Sequence, residues 1–464
     1  MKNLVNNIKL SCLMAMSIAA CPAPMEALTA KYDTQTVNAI AERFVSYAKI
    51  NSQGTDTSDM SEFPLNPGQR DMARCVEADL HDILRGTRAT VTRSESEYVY
   101  VKIPANVKGV PSVMFMAHLD ITPEAPGGEI KPVVHANYDG GDLLLPSGLV
   151  LSPSAPQGKH LDKCVGKTII TSDGSTLLGA DDKTGCTILV TLAERIARNE
   201  KMRHGDIYLV FSQNEDIGRA ADMFELKYVG GESPDVVIDI DGDNPTHFSV
   251  ANFTAVGRSY RFCGKEAHPG DAYARKYGDV LTAAAYFIGQ VPPEKHPSAS
   301  RAEQGYIHCY TMSPVITTDG ISSTEVRVRM RYFDKLEGDT LRTMLGRAEA
   351  AVKTAYPNVQ VESTPEVLQY ENVAYSMPSA LTPIIVESAK ECRLTLLPKS
   401  DRGGTTSAMM AAKGLRGGPC LYSGQQAEHS VYEWTCVEDM LQMTDVAESI
   451  VRNIARKGNS FQIK

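Results

Sequence analysis

The chain has 464 residues, which is too long for one ordinary hydrophobic core, so at least two domains are expected. Hydrophobic residues make up 42% of the chain and charged residues 22%, as is typical of soluble globular proteins. The formal net charge of -9 argues against nucleic acid or an anionic membrane as the main partner, because both attract a basic surface.

Residues 1–30 have the pattern of a leader. Lys2 and Lys9 precede an apolar stretch at 10–20, and Cys21 follows as in a lipoprotein signal. The stretch is too short to span a bilayer permanently, so no integral membrane domain is predicted. An upstream start codon attached to a cytoplasmic protein is the other interpretation. We expect a cytoplasmic protein, with export or lipid anchoring as the alternative, and exclude this segment from the fold prediction.

The chain contains 10 cysteines but no C-x-x-C pair. This spacing predicts neither a structural zinc knuckle nor a thioredoxin-like redox site. Several of the cysteines lie in apolar or helical contexts, so free buried thiols are the expected state.

The folded part is predicted to start with a helix near Val37, which Asp33 or Thr34 would cap. A second amphipathic helix is predicted from about residue 69 to 85, with Gly86 as its stop. From Tyr98 onward, short apolar runs alternate with helical patterns, which indicates an α/β fold.

Four short apolar runs have the character of buried strands, and each is followed by His, Asp or Glu. In open α/β sheets the ligand site lies beyond the carboxyl ends of the strands. The polar residues that follow these runs are therefore predicted to cluster at one edge of a sheet. The runs are residues 110–117, 206–212, 235–240 and 419–422.

Between residues 253 and 371 the order of elements changes to β-α-β-β-α-β, the split βαβ pattern of ferredoxin-like domains. We therefore predict a catalytic α/β domain with a mixed sheet, formed by residues 31–252 and 372–464 and interrupted by an α+β lid domain at 253–371. The lid strands are predicted at 256–263, 306–312, 324–333 and 359–367, and its helices at 280–290 and 340–354. A final helix is predicted around residues 440–454.

The polar residues after the predicted strands are individually weak signals. Asp182 is explained well as a cap of the helix predicted at 184–198. Capping does not explain Asp181, which is therefore a candidate ligand that bridges two cations. Paired acids in a loop are usually solvated, and an Asp before Gly-Asp-Asn-Pro usually marks a turn. Together these residues supply the imidazole and carboxylate ligands of a two-metal hydrolase. The candidates are His118, Asp120, Asp181, Glu215, Asp216, Asp241 and His429.

Long motifs then connect the chain to a known family. The run GKTIITSDGSTLLGADDK at 166–183, YDGGD at 138–142 and LSP at 151–153 resemble the peptidase T group of tripeptide aminopeptidases. This group belongs to the co-catalytic zinc exopeptidase family, which also includes carboxypeptidase G and the aminoacylases. The resemblance extends from about residue 37 to 457.

The resemblance implies a dinuclear site with two Zn²⁺ per subunit, or Co²⁺ or Mn²⁺ in their place. It also implies a small peptide as substrate and a homodimer formed through the lid domain. The implied roles are as follows: His118 and Asp241 bind one metal, Asp216 and His429 bind the other, Asp181 bridges them, Asp120 orients His118, Glu215 is the general base, His268 supports the oxyanion, and Arg331 and Arg402 hold a substrate carboxylate.

The chain departs from the family pattern at several positions. Asp216 stands where the family usually has a glutamate, and Thr406 stands where it has an aspartate. The segment after Gly270, which begins with Asp271, also differs from the family pattern. The latter two changes lie around substrate contacts, so they bear on strict tripeptide specificity more than on hydrolysis. The leading hypothesis is a tripeptide aminopeptidase. The alternatives are a metal-dependent dipeptidase or N-acyl amino acid amidohydrolase, and a metal- or peptide-binding homologue without catalysis.

Overall fold

The computed structural model describes residues 31–55, 63–315, 321–458 and 461. The leader, export and lipid-anchor interpretations of residues 1–30 lie outside these described residues. Within the described ranges, no helix is both long enough and apolar enough to cross a membrane.

Both predicted N-terminal helices are present. Helix α1 spans Thr34–Ala48, and the Asp33 carboxylate caps it by accepting a hydrogen bond from the Thr36 N–H. Helix α2 spans Pro67–Ile83 and begins earlier than predicted, because Asn66 and Gln69 form a capping box. The other helices are α3 (Ala180–Arg198), α4 (Ala272–Arg275), α5 (Val280–Gly289), α6 (Lys335–Ala355), α7 (Leu381–Glu391), α8 (Thr406–Ala412) and α9 (Val437–Lys457).

The strands form a large mixed sheet and three smaller sheets within the described residues. In chain order they are β1 (Thr90–Arg93), β2 (Val99–Ile103), β3 (Val113–His118), β4 (Val133–His135), β5 (Leu143–Leu144), β6 (Val150–Leu151), β7 (Ile169–Thr171), β8 (Ile207–Ser212), β9 (Val236–Gly242), β10 (His247–Asn252), β11 (Thr254–Lys265), β12 (Tyr306–Val315), β13 (Ile321–Tyr332), β14 (Val359–Ser363), β15 (Val367–Tyr370), β16 (Leu397–Asp401), β17 (Cys420–Tyr422), β18 (Gln425–Gln426) and β19 (Trp434–Cys436).

The large sheet has the strand order β1-β2-β8-β3-β9-β17-β10-β16. The four runs predicted to be buried strands are β3, β8, β9 and β17, and they are adjacent and parallel at the centre of this sheet. Antiparallel pairs at β1–β2, β2–β8 and β10–β17 make the sheet mixed. The predicted α/β fold class is confirmed, and the carboxyl ends of the four central strands lie at one edge.

Alternate residues of each strand point to opposite faces of the large sheet. Both faces are buried, because a separate hydrophobic core covers each one. Phe115 belongs to the larger core, which also contains residues of α1, α2, α3, α7 and α9. Met114 and Met116 belong to a second core on the other face, with Met409 and Met410 of α8. This packing fixes β3 from both sides, so its last residue has a well-defined position.

The segment predicted as a lid forms a separate sheet with the order β12-β13-β11-β14, and β15 also pairs with β11. Its own hydrophobic core includes Phe262, Phe287 and Leu341. The prediction of a single strand at 359–367 is wrong, because the segment that begins at Val359 is divided. It is two strands, β14 and β15, which both pair antiparallel with β11 and are separated by Thr364, Pro365 and Glu366. A proline cannot donate a ladder hydrogen bond, and the strand is interrupted there.

A small sheet with the order β18-β19-β7-β4 lies beside the large one. Strand β19 pairs antiparallel with β7, and Cys436 lies opposite Ile169. The loop between β18 and β19 carries His429. The C-terminal part of the chain is thereby held next to the segment that leads into α3.

Candidate metal centre

Two candidate ligands project from adjacent strands. His118 is the last residue of β3, and Asp241 lies near the end of β9. These strands are parallel and pair Met116 with Asp239, so the two later residues emerge at the same edge. His118 Nε2 is 3.6 Å from Asp241 Oδ1, and both side chains are at least nine-tenths buried.

His118 presents Nε2 to the cluster because its other ring nitrogen is engaged. Nδ1 lies 3.0 Å from the backbone carbonyl of Asp120, which accepts its hydrogen bond. The Asp120 carboxylate is farther away, at 3.6 Å. Such a contact fixes the tautomer and the ring orientation of a metal-binding histidine.

Asp181 lies between two imidazoles. Its Oδ1 is 2.9 Å from His118 Nε2, and its Oδ2 is 3.2 Å from His429 Nε2. Asp181 and Asp182 have non-helical backbone angles, so the regular part of α3 begins after them. The Asp182 carboxylate accepts from the Gly185 N–H at 3.1 Å, as a helix cap does, and also from the His118 N–H at 3.2 Å. The two adjacent aspartates thus make different contacts, as their sequence context suggests.

Glu215 and Asp216 follow β8 in a loop that the Asp120 carboxylate holds in place. Its two oxygens accept hydrogen bonds from the backbone N–H groups of Glu215 at 3.0 Å and Asp216 at 3.2 Å. Glu215 Oε2 is 4.0 Å from His118 Nε2. Asp120 therefore contacts the site mainly through the backbone of this pair, in addition to its carbonyl contact with His118.

Asp216 and His429 complete the cluster. Asp216 Oδ1 is 3.0 Å from His429 Nε2, whereas His429 Nδ1 is 2.9 Å from Glu124 Oε2. The second oxygen of Asp216, Oδ2, is buried and has no hydrogen-bond partner among the described residues. A buried oxygen without a partner is costly, and a bound cation would satisfy it.

The crowded carboxylates change one another's protonation. Burial, together with the charge of Asp181, raises the pKa of Asp216 to about 7 and that of Asp241 to about 6. Burial also raises the pKa of Glu215 well above its ordinary range. Hydrogen bonds to Asp181 and Asp216 raise the pKa of His429 to about 12. Buried like charges of this kind need a compensating positive charge.

The donor set fits divalent metal ions. The site contains two groups of three side chains whose ligand atoms all lie within 4.8 Å of one another inside each group. The first group is His118, Asp182 and Asp241, and the second is His118, Asp181 and Asp216. Imidazole and carboxylate are ligands of Zn²⁺ and of other first-row divalent metals. The unpartnered Asp216 oxygen and the position of Asp181 between two imidazoles both agree with such ions.

Glu433 was not singled out in the sequence, although it makes extensive contacts beside the site. Its buried carboxylate accepts hydrogen bonds from the backbone N–H groups of Leu178, Gly179 and Asp181 at 2.6–2.9 Å. Gly179 adopts a left-handed conformation with φ of 77°, which favours glycine. An acid directly before the buried strand β19 is the signal that marks Glu433 as a candidate, although it does not reveal the distant backbone that Glu433 contacts.

The predicted substrate-binding residues lie outside this cluster of hydrogen bonds. His268 is exposed, and its Nδ1 accepts from the Gly270 N–H of its own turn at 3.1 Å. Arg331 is largely buried and donates to Gln369 Oε1 at 3.1 Å. Arg402 is exposed, and its guanidinium stacks over the rings of Phe253 and Tyr306.

The two arginines are close to a common neighbour. Strand β12 pairs Tyr306 with Arg331, and the Tyr306 ring also lies 5.7 Å from the Arg402 guanidinium. Cations from β13 and from the loop after β16 therefore approach the same aromatic side chain.

Comparison with known proteins gives consistent results. Residues 175–453 match the model of peptidase family M20/M25/M40. The chain is 29% identical over 425 residues to peptidase T of Listeria monocytogenes serotype 4a, covering 90% of this chain and 99% of the relative. Its fold resembles the aminopeptidase PepT of Bacillus cereus, with a TM-score of 0.66, 17% identity and coverage of 90% and 99%. It also resembles a dinuclear metal-binding peptidase of Bacillus subtilis, with a TM-score of 0.61, 10% identity and coverage of 91% and 99%.

Proposed function

This chain belongs to peptidase family M20/M25/M40, and from that premise we propose that it is a dinuclear zinc aminopeptidase that removes the N-terminal residue from tripeptides. The similarity to peptidase T over 90% of the chain supports the tripeptide substrate. The family membership predicted from the long motifs is confirmed. The metal identity and the residue roles are our proposal.

The observation that carries the proposal is the position of Asp181. Each of its two oxygens faces a different imidazole, so this one carboxylate would reach a cation held by either histidine. Under this assignment His118 and Asp241 would hold one zinc, Asp216 and His429 would hold the other, and Asp181 would be shared by both. Asp182 would keep its capping role beside them.

Glu215 is proposed as the general base. When bound, the metal pair would polarise the peptide carbonyl and lower the pKa of a water molecule at the site. Glu215 lies near His118 in the same buried cluster, so it can take a proton from that water. The same carboxylic acid would then deliver the proton to the leaving amine.

Arg331 and His268 of the inserted segment, together with Arg402 of the catalytic domain, are proposed to select the substrate. Arg402 and Arg331 would hold the C-terminal carboxylate of the peptide, and their distance from the metals would select its length. His268 would support the developing oxyanion. A homodimer formed through the lid and a cytoplasmic location complete the proposal.

Replacing Arg402 by lysine is expected to raise the KM for a free tripeptide by about 10–100-fold, with a smaller effect on kcat. The planar guanidinium can bind a carboxylate with two hydrogen bonds, whereas the lysine ammonium cannot reproduce that geometry. Steady-state kinetics with a tripeptide and its C-terminal amide would separate this role from a structural one. The amide should already bind weakly and be almost insensitive to the substitution; equal losses for both peptides would contradict carboxylate binding.

The proposed function is tested by a substrate panel assayed with and without a chelator. A free tripeptide should be hydrolysed after its first residue, whereas the N-acetylated tripeptide and a dipeptide should not. Activity should disappear with chelator and return with Zn²⁺, and metal analysis should find two equivalents per subunit. Preference for the dipeptide or the N-acyl substrate would indicate a related amidohydrolase. Metal binding without hydrolysis of any substrate would indicate a non-catalytic homologue.

A further inference from the structure

A second cluster of metal-ligating and redox-active side chains lies away from the proposed catalytic site. The Sγ atoms of Cys164 and Cys436 and a carboxylate oxygen of Asp439 are within 4.8 Å of one another. Both cysteines are buried in a small core that also contains Leu161, Ile169 and Trp434. The proposed peptidase mechanism does not use any of these residues.

The backbone holds the two cysteines in fixed positions. Cys164 begins a tight turn in which the Lys167 N–H donates to the Cys164 carbonyl at 2.9 Å. Val165 has φ of -57° and ψ of 130°, and Gly166 has φ of 80°, as expected for a type II turn with glycine at its third position. The turn leads directly into β7, whose residue Ile169 pairs with Cys436. The thiols are therefore neighbours because of strand pairing, although they are distant in sequence.

Asp439 is already engaged, which argues against a metal ion at this cluster. One of its oxygens is 2.7 Å from Lys167 Nζ, and the other accepts from the Tyr422 hydroxyl at 3.2 Å. The Lys167 ammonium would also repel a cation bound beside it. The two thiols make only long contacts, from Cys164 Sγ to the His160 carbonyl at 3.6 Å and from Cys436 Sγ to Glu438 Oε2 at 3.7 Å, so they remain the candidate reactive pair.

We propose that Cys164 and Cys436 form a disulfide bond that ties the turn before β7 to the beginning of α9. A disulfide requires Cβ atoms roughly 3.5–4.5 Å apart, and sulfur atoms within 4.8 Å can approach by rotation of the side chains. The bond would fasten the strand that directly follows Glu433, and hence the loop that carries His429.

The oxidant is a low-molecular-weight disulfide such as glutathione disulfide. Cys164 and Cys436 are both buried, with 2% and 0% of their surfaces exposed, so the reagent reaches them only when the fold opens locally. The Cys164 thiolate then attacks the reagent first. This step forms a mixed disulfide and releases one glutathione thiolate. The Cys436 thiolate then attacks Cys164 Sγ and expels the second glutathione. Two protons and two electrons leave the protein thiols, and glutathione disulfide is reduced to two thiols.

The test compares the full-length protein after incubation with excess glutathione disulfide or with a reducing agent. Thiols are counted under denaturing conditions, cross-linked peptides are mapped by mass spectrometry, and the Tm is measured. Oxidation should join the Cys164 and Cys436 peptides, remove two titratable thiols, and raise the Tm by about 3 °C or more. Cys164→Ala should abolish all three effects, whereas Cys309→Ala in the lid should leave them unchanged.

Two outcomes would overturn the proposal. In the first, both cysteines remain reduced, or pair with other cysteines, while the protein is folded. In the second, Cys164→Ala lowers bound zinc by one equivalent without affecting peptide hydrolysis, which would show that the cluster is a metal site. Both outcomes are independent of whether the protein cleaves tripeptides.

Discussion

Replacing Glu215 by glutamine is expected to lower kcat for tripeptide hydrolysis by about 10²–10⁴-fold, the range typical of a lost general base. The amide has nearly the same shape as the carboxylate but cannot accept the proton from water. Metal content should stay at the wild-type level, because Glu215 is not among the proposed ligands. Steady-state kinetics and metal analysis of the same preparation measure the two effects together.

A matched control is Glu225→Gln, which changes a partly exposed glutamate that pairs with Lys227. This variant should keep wild-type kcat. If Glu215→Gln remained fully active, Glu215 would have no role as a base. If it lost metal instead, Glu215 would have to be reassigned as a ligand.

Replacing Asp181 by asparagine is expected to remove both metal equivalents and reduce kcat/KM by at least about a thousandfold. The reason is that Asp181 faces both imidazoles, so its loss weakens both proposed metal sites. Asp216→Asn should instead release one equivalent and leave the other bound. Metal analysis after dialysis, followed by assays with added Zn²⁺, distinguishes the two patterns.

The exposed Asp162 supplies the control, since Asp162→Asn removes a carboxylate outside the cluster. It should retain both equivalents and full activity. A loss of only one equivalent in Asp181→Asn would show that another carboxylate bridges the pair. Asp182, which belongs to one of the two possible ligand groups, would then be the next candidate.

The sheet centre was predictable from sequence because its strands are short, apolar and buried on both faces. That pattern located β3, β8, β9 and β17, and the rule for parallel sheets predicted that their polar ends would meet. The individual residues were ambiguous. Asp216 and Asp241 each had an ordinary explanation and Asp181 had none, and only the joint presence of these residues with the two histidines favoured a metal site.

Other features depend on tertiary contacts that a single sequence does not display. Nothing in the local pattern shows that Glu433 reaches the backbone before α3, because the two segments are far apart in the chain. The proximity of Cys164 and Cys436 likewise depends on the pairing of β7 with β19. The interruption between β14 and β15 was missed even though Pro365 marks it, because the apolar residues on both sides continue the strand pattern.

The contacts of Glu433 have a consequence for the order in which the protein assembles during synthesis. The backbone before Asp181 is made early, but the carboxylate that holds it belongs to the last part of the chain. The same late segment supplies His429, so a nascent chain that ends before β18 lacks both a proposed ligand and this support. Pairing of such distant segments is slow compared with local folding. We therefore expect stable metal loading only after the C-terminal segment has left the ribosome, which makes full-length synthesis a condition for activity.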